Sequence, residues 1–207
     1  DLVMERMNQA PLVFGTPRWV WGRLLVNCQL TSETSYLLIG HRRLWDCELL
    51  VRSLFEGSFR LQYLTNGTNE QQEQRADEYW SILPEMDRLK KHARVSKVLD
   101  NLSDSNTTEW NPLKEMKITN EEADEIRQKY DRKTRKKMAQ KWSFGELAKT
   151  MESETGFPFS CLQYSYGMSS HLIHQDADAI GMVWDRVGRS DSRRLSVELC
   201  HGCRLIQ

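Results

Sequence analysis

Residues 49–64 read LLVRSLFEGSFRLQYL, a run in which apolar side chains fall on every side of a helical wheel while Arg52 and Glu56 stand four positions apart in its middle. A helix that is apolar all round belongs inside a core rather than on its surface. The rest of the chain agrees: few stretches alternate with period two, and β-branched residues do not cluster. The run is read as part of a helix from about Arg42 to Leu64 that stops at the turn pair Asn66-Gly67. A helix from about Arg18 to Ile39 precedes it, with Gly40 as its stop signal. Ahead of that, PLVFGTP is expected to be extended and to pack on the bundle.

Beyond Gly67 the chain turns polar. Residues 71–97 read as helix with a thin apolar stripe (Trp80, Ile82, Leu83, Met86, Leu89), and Pro84 should start or kink a helix there. NLSDSNTTEWNP (101–112) carries the signals of a loop. A polar helix is expected over about 119–141, acidic at its start and basic at its end, as the helix dipole favours. Ser143 and Glu146 have the spacing of a capping box, opening a helix to about Glu154 that Gly156 and Pro158 break. A long helix is expected over 160–186 and one more in the tail. The fold class is therefore all-α: a single-domain bundle of about five to seven helices over 1–207. Its core helices lie at about 18–65 and 143–187, with a charged helical insert at about 68–141.

Lysine plus arginine and aspartate plus glutamate number 29 each, so no global field argues for nucleic acid or an anionic membrane. No run of eighteen apolar residues occurs, which argues against a membrane-spanning helix. Five scattered cysteines suit reduced thiols in a cytoplasmic protein, although sequons at Asn66, Asn101 and Asn106 leave secretion open. There is no GxxxxGK[ST] loop, no GxGxxG and no GxSxG, so nucleotide-binding and α/β-hydrolase chemistry is not expected. Cys200-His-Gly-Cys203 could be half of a zinc site, but no second CxxC or HxxxH pair stands elsewhere, His171 and His174 could complete it only by a coincidence of folding, and no metal or other cofactor is expected.

Charge is nevertheless uneven. Residues 127–141 carry eight Lys/Arg against Asp131 alone. Lys133, Arg135, Lys136 and Lys137 at the centre of this stripe are candidates for phosphate contact, the alternatives being a solvated helix face or an acidic protein partner. The candidate site lies elsewhere. Glu48, Arg52 and Glu56 follow each other at i, i+4 and i+8, as do Tyr166, Ser170 and His174 in the later helix. Two such polar stripes facing one core need partners, and each suits the other. They form either a reactive site or a satisfied network that fixes helix register.

The run L-x-R-S-L-x-E (Leu50, Arg52, Ser53, Leu54, Glu56), followed by Trp142, Leu147 and Ala148 and then Y-x-x-x-S-x-x-x-H (Tyr166, Ser170, His174), resembles a large microbial family known only as a domain of unknown function. The resemblance covers roughly residues 20–185. Such families are similar to the HEPN helical bundles, which include metal-independent ribonucleases of toxin–antitoxin and antiphage systems. The resemblance implies a homo-oligomer acting on RNA in bacterial defence, with a protein partner from the same system. It implies His174 as general base on a ribose 2′-OH and Arg52 as the group that stabilises charge on the phosphate. Glu56 would orient Arg52, and Tyr166 or Ser170 would orient His174. HEPN ribonucleases carry their Arg and His on one helix, whereas here the arginine comes from a different helix. The other function class is a non-catalytic helical module that binds a protein or a nucleic acid.

Overall fold

The computed structural model describes residues 16–102, 104, 107–159 and 188–206, together with positions 166, 167, 170, 171, 174, 177, 180 and 181. Most of PLVFGTP and much of the expected 160–186 helix therefore lie outside the described residues, although the eight described positions there are helical. Among the described residues there are helices and no strand, and the protein is an all-α bundle. Its backbone contacts divide it into two units, residues 1–66 with 144–207 and residues 67–143.

The first unit is organised around α2 (Leu44–Thr65), which packs against α1 (Pro17–Gly40), α8 (Phe144–Thr155) and α9 (Asp191–Ile206). Thr16 caps α1 by accepting from the Trp19 N–H, and Pro17 sits where its missing N–H costs nothing. The α1–α2 turn is tight. Arg42 takes a left-handed φ of 58°, and the Arg43 N–H closes back on the Leu38 carbonyl. For that reason α2 begins at Leu44 rather than at Arg42 as the sequence suggested, because a left-handed residue cannot continue a right-handed helix. Trp19, Val20 and Leu24 of α1 and Cys47, Val51, Phe59, Tyr63 and Leu64 of α2 are buried, joined by Leu147, Ala148 and Met151 of α8. Phe59 packs its ring against Phe144 at 4.7 Å and Phe159 at 5.1 Å. Gly57 lets α1 and α2 approach closely, since a Cβ there would lie 2.5 Å from Cys28 Sγ.

In the second unit α3 (Asn69–Asp77) opens with a capping box between Thr68 and Gln71. It passes through a single π-helical turn, Glu78–Ile82, into α4 (Leu83–Asp100). The widened turn falls just before Pro84, whose ring would otherwise clash with the carbonyl four residues back. After a 3-10 turn (Thr108–Trp110) and α5 (Asn111–Glu115) come α6 (Asn120–Lys129) and α7 (Arg132–Lys141). Two sequence expectations are corrected here. The 101–112 stretch holds helical turns at its end, and the helix expected over 119–141 is two helices broken at Tyr130 and Asp131. The break has a local cause: the Asp131 carboxylate accepts from the Thr134 N–H at 2.6 Å, making it an N-cap rather than a mid-helix residue.

Leu89, Ile118, Ala123 and Ile126 form a small core with Tyr130 against its edge, and His92 Nδ1 lies 2.9 Å from the Ile118 carbonyl in its lining. The buried Glu78 carboxylate accepts from Lys141 Nζ at 2.6 Å and Trp142 Nε1 at 3.1 Å, tying the end of α7 to the π turn. Breaking that cluster would leave a buried charge unsatisfied.

Gly57→Ala improves helix propensity by up to about 1 kcal/mol in isolation. In this protein it is expected to destabilise by about 1–3 kcal/mol through overpacking against Cys28. Denaturant melts of Gly57→Ala alone and in a Cys28→Ala background check this, and most of the loss should disappear in the double variant.

Candidate functional site

Arg52 and Glu56 leave α2 on the side that meets the helical residues around 166–170. Arg52 donates from Nη2 to Tyr166 Oη at 2.9 Å, from Nη1 to Ser170 Oγ at 3.0 Å and from Nε to Glu56 Oε1 at 3.4 Å. Its guanidinium also lies 4.6 Å from the centre of the Tyr166 ring. Tyr166 in turn donates to Glu56 Oε1 at 2.9 Å, so its hydroxyl accepts from the arginine and donates to the carboxylate. The opposite face of Tyr166 stacks on Phe144 at 3.9 Å and nearly parallel, which holds the ring in place. Arg60 donates to the other Glu56 oxygen at 3.0 Å. Two cations thus share one carboxylate, and the cluster carries a net positive charge.

The group is half-buried rather than sealed: the Arg52 side chain is 20% exposed and that of Glu56 26%. Burial alone would push the Glu56 carboxyl up, but the hydrogen bond from Tyr166, the charge and hydrogen bond of Arg60, and the hydrogen bond from Arg52 together hold it below its ordinary value. The Tyr166 hydroxyl moves up through burial and its bond to the Glu56 carboxylate, with Arg52 opposing. A guanidinium has five N–H donors. Three of those on Arg52 are engaged by Tyr166, Ser170 and Glu56, and one on each terminal nitrogen makes no hydrogen bond among the described residues.

The hydrogen bonds of the described residues join Arg52, Glu56, Tyr166 and Ser170 and include neither Glu48 nor His174. Glu48 is fully buried, and its Oε1 lies 3.2 Å from His201 Nε2 of α9, whose ring stacks on Trp45 at 4.8 Å. His174 is exposed and makes no hydrogen bond or ion pair among the described residues. Tyr166 and Ser170 therefore orient Arg52, not His174 as the sequence suggested. The reason is helical stagger. With 3.6 residues per turn, positions i and i+4 differ by about 40° around the axis but i and i+8 by about 80°. That angle sends Glu48 to one neighbour and Glu56 to another, and it carries His174 past the contact that Ser170 makes.

Sequence reasoning missed Arg60, although its i+4 spacing from Glu56 was available as a signal. Phe144 and His201 carried no such signal, since they meet Tyr166 and Glu48 only through the fold. Around α7 the eight basic residues sort by pairing. Arg127 is paired with Asp124, Lys129 with Glu85 and Lys141 with Glu78, while Arg135 donates to the Tyr130 carbonyl at 2.8 Å. Arg132, Lys133, Lys136 and Lys137 are exposed and make no ion pair among the described residues. Arg135, one of the four candidates for phosphate contact, is therefore partly engaged, and Arg132 joins the other three.

Among the described residues no cluster of three or more His, Cys, Asp or Glu side chains is placed to hold a metal, and no helix is long and apolar enough to cross a membrane. Residues 18–191 match the profile of a family described as a family of unknown function (DUF5677), and the chain belongs to that family. The match contains the Arg52 cluster, His174 and α7, and reaches only the first residue of α9. No curated protein matches the chain, and no solved structure does.

Because the folded Glu56 carboxyl titrates below its unfolded value, the cluster contributes stability that is present above about pH 4.3 and lost as pH falls through the lower folded value. Tyr166→Phe keeps the ring on Phe144 but removes the hydroxyl. It is expected to move the Glu56 titration upward and to cost about 1–3 kcal/mol at neutral pH. Carboxyl-resolved NMR titration and urea melts at pH 7 and pH 3 check both, and the cost should shrink at the lower pH.

Proposed function

We propose that this protein cleaves RNA without a metal ion, with Arg52 binding the scissile phosphate and His174 acting as the base. The observation that carries the reading is the state of Arg52. Its guanidinium is fixed in direction by Tyr166, Ser170 and Glu56, it is partly exposed, and it keeps an N–H on each terminal nitrogen. A fixed, partly desolvated guanidinium is suited to stabilising charge that develops on a phosphoryl oxygen. Arg60 adds positive charge to the same cluster, so an anion is attracted although Glu56 is present.

His174 follows Ser170 by one helical turn, is exposed and has no partner among the described residues to hold its proton. An imidazole can take and return a proton near neutral pH. It removes the proton of a ribose 2′-OH, the 2′ oxygen forms a bond to phosphorus, and the bond from phosphorus to the 5′ oxygen breaks. The products are a 2′,3′-cyclic phosphate and a 5′-hydroxyl that takes its proton from solvent. The HEPN resemblance supports the same reaction class and the setting of bacterial defence.

A second reading draws on the same geometry: three Arg52 donors end on protein groups, as in a network that fixes helix register in a non-catalytic binding module. The two readings separate on His174, which the network does not use. With chelator present, wild-type protein is expected to cut a structureless RNA to cyclic-phosphate ends. His174→Ala is expected to lose at least about 100-fold in rate, the scale of one general base, with its melting temperature unchanged. Absence of cleavage by the wild type would leave the register network as the role of the cluster.

A further inference from the structure

Helix α7 lies in the second unit and takes no part in the Arg52 cluster. We infer that its free cationic face, Arg132, Lys133, Lys136 and Lys137, is a docking surface for the sugar-phosphate backbone of a single RNA strand. From the proposed function this takes only the choice of RNA. The surface itself stands on its own observations.

The four residues occupy positions i, i+1, i+4 and i+5, which fall within an arc of about 140° at 100° per residue. They form two adjacent rows, each with a rise of about 6 Å between its members. The next cations along the chain are neutralised or engaged, by Asp124, Glu85, Glu78 and the Tyr130 carbonyl. The one carboxylate at this end of the helix, Asp131, is turned to the Thr134 N–H as the N-cap. Its own proton affinity is lowered first by that bond and then by Lys133 and Arg135, so it offsets the face without pairing any of the four. The face is thus a compact concentration of charge about 7.5 Å long on the helix axis, a length that suits neighbouring phosphates of one strand.

Two further observations favour a nucleic-acid backbone over an acidic protein and leave no aromatic platform for base stacking. No large apolar side chain is exposed on α7, whereas a protein interface has an apolar centre. The aromatic residues that flank the helix are not free to stack on bases. Tyr130 donates to Glu85 at 2.9 Å, and Trp142 is buried with its indole N–H on Glu78. Binding at this face therefore rests on phosphate contacts and is steep in salt.

The test measures fluorescence-anisotropy binding of a labelled oligouridylate to the full chain, between low and moderate salt and with chelator present. It uses the wild type, His174→Ala, and a quadruple variant carrying Arg132→Gln, Lys133→Gln, Lys136→Gln and Lys137→Gln in the His174→Ala background. His174→Ala keeps the RNA intact whatever the catalytic outcome, so binding is read separately from cleavage. Four released counterions on a single strand correspond to a slope of log K against log salt of about −2.8. The quadruple-Gln variant is expected to lose about that much slope and at least about tenfold in affinity at low salt, with an unchanged melting temperature. An unchanged slope and affinity would overturn the inference. So would tighter wild-type binding to polyglutamate, used as competitor at equal charge, which would make the face a site for an acidic protein. Failure of the wild type to cleave, together with loss of RNA binding in the quadruple variant, would remove the ribonuclease reading and leave the docking surface standing.

Discussion

The first unit depends on how one helix, packed by three neighbours, disposes of its charges. Helix α2 is packed by α1, α8 and α9, yet it carries Glu48, Arg52, Glu56 and Arg60 at four-residue intervals. A lone buried ion costs several kcal/mol, so each must find a partner or reach water. The advance of about 40° at every step distributes them. Glu48, fully buried, meets His201 on α9, while Arg52 and Glu56 meet Tyr166 and Ser170 at the edge of the core, and Arg60 closes on Glu56. Polar partners thereby specify which neighbour lies on each side of α2. The hydrophobic contacts of Leu64, Val51 and Phe59 supply cohesion but could be satisfied by many arrangements.

The second unit uses the same device with a smaller core. Buried Glu78 accepts from Lys141 and Trp142, and Glu85 accepts from Lys129 and Tyr130. A distinction among the cations follows from these pairs. Cations with a carboxylate partner hold the unit together, whereas four on α7 are exposed and make no ion pair among the described residues. A count of positive charge cannot make that separation, because Lys141 and Lys137 are alike until Glu78 is brought beside one of them.

Much of the candidate site is legible in the order of the residues themselves, and the reason is local geometry. Arg52 and Glu56 are neighbours on any helix that contains both, and Tyr166 and Ser170 likewise. The complementary chemistry of the two pairs makes their meeting a reasonable expectation. That expectation goes too far where eight-residue spacing is treated like four-residue spacing: Glu48 and His174 turn away by about 80°. The helix over 119–141 fails for a different reason. Its charge pattern suits one helix, but Asp131 stands three residues before the Thr134 N–H and caps a new helix, a local signal that the charge pattern hides.

The all-α class and the four-residue polar pairs were determined by the sequence alone, whereas the apolar run of 49–64 is only partly buried, Leu49 being 44% exposed. The class and the pairs rest on periodicity and on groups within one or two turns of each other. The tertiary structure alone decided that Phe144 backs Tyr166, that His201 rather than Arg52 meets Glu48, and that four of the eight basic residues around α7 remain exposed without an ion pair among the described residues. These depend on residues as much as 153 positions apart, Glu48 and His201 being the widest pair. Chain separation of that kind leaves no mark in local pattern, because the partner is chosen by how helices pack.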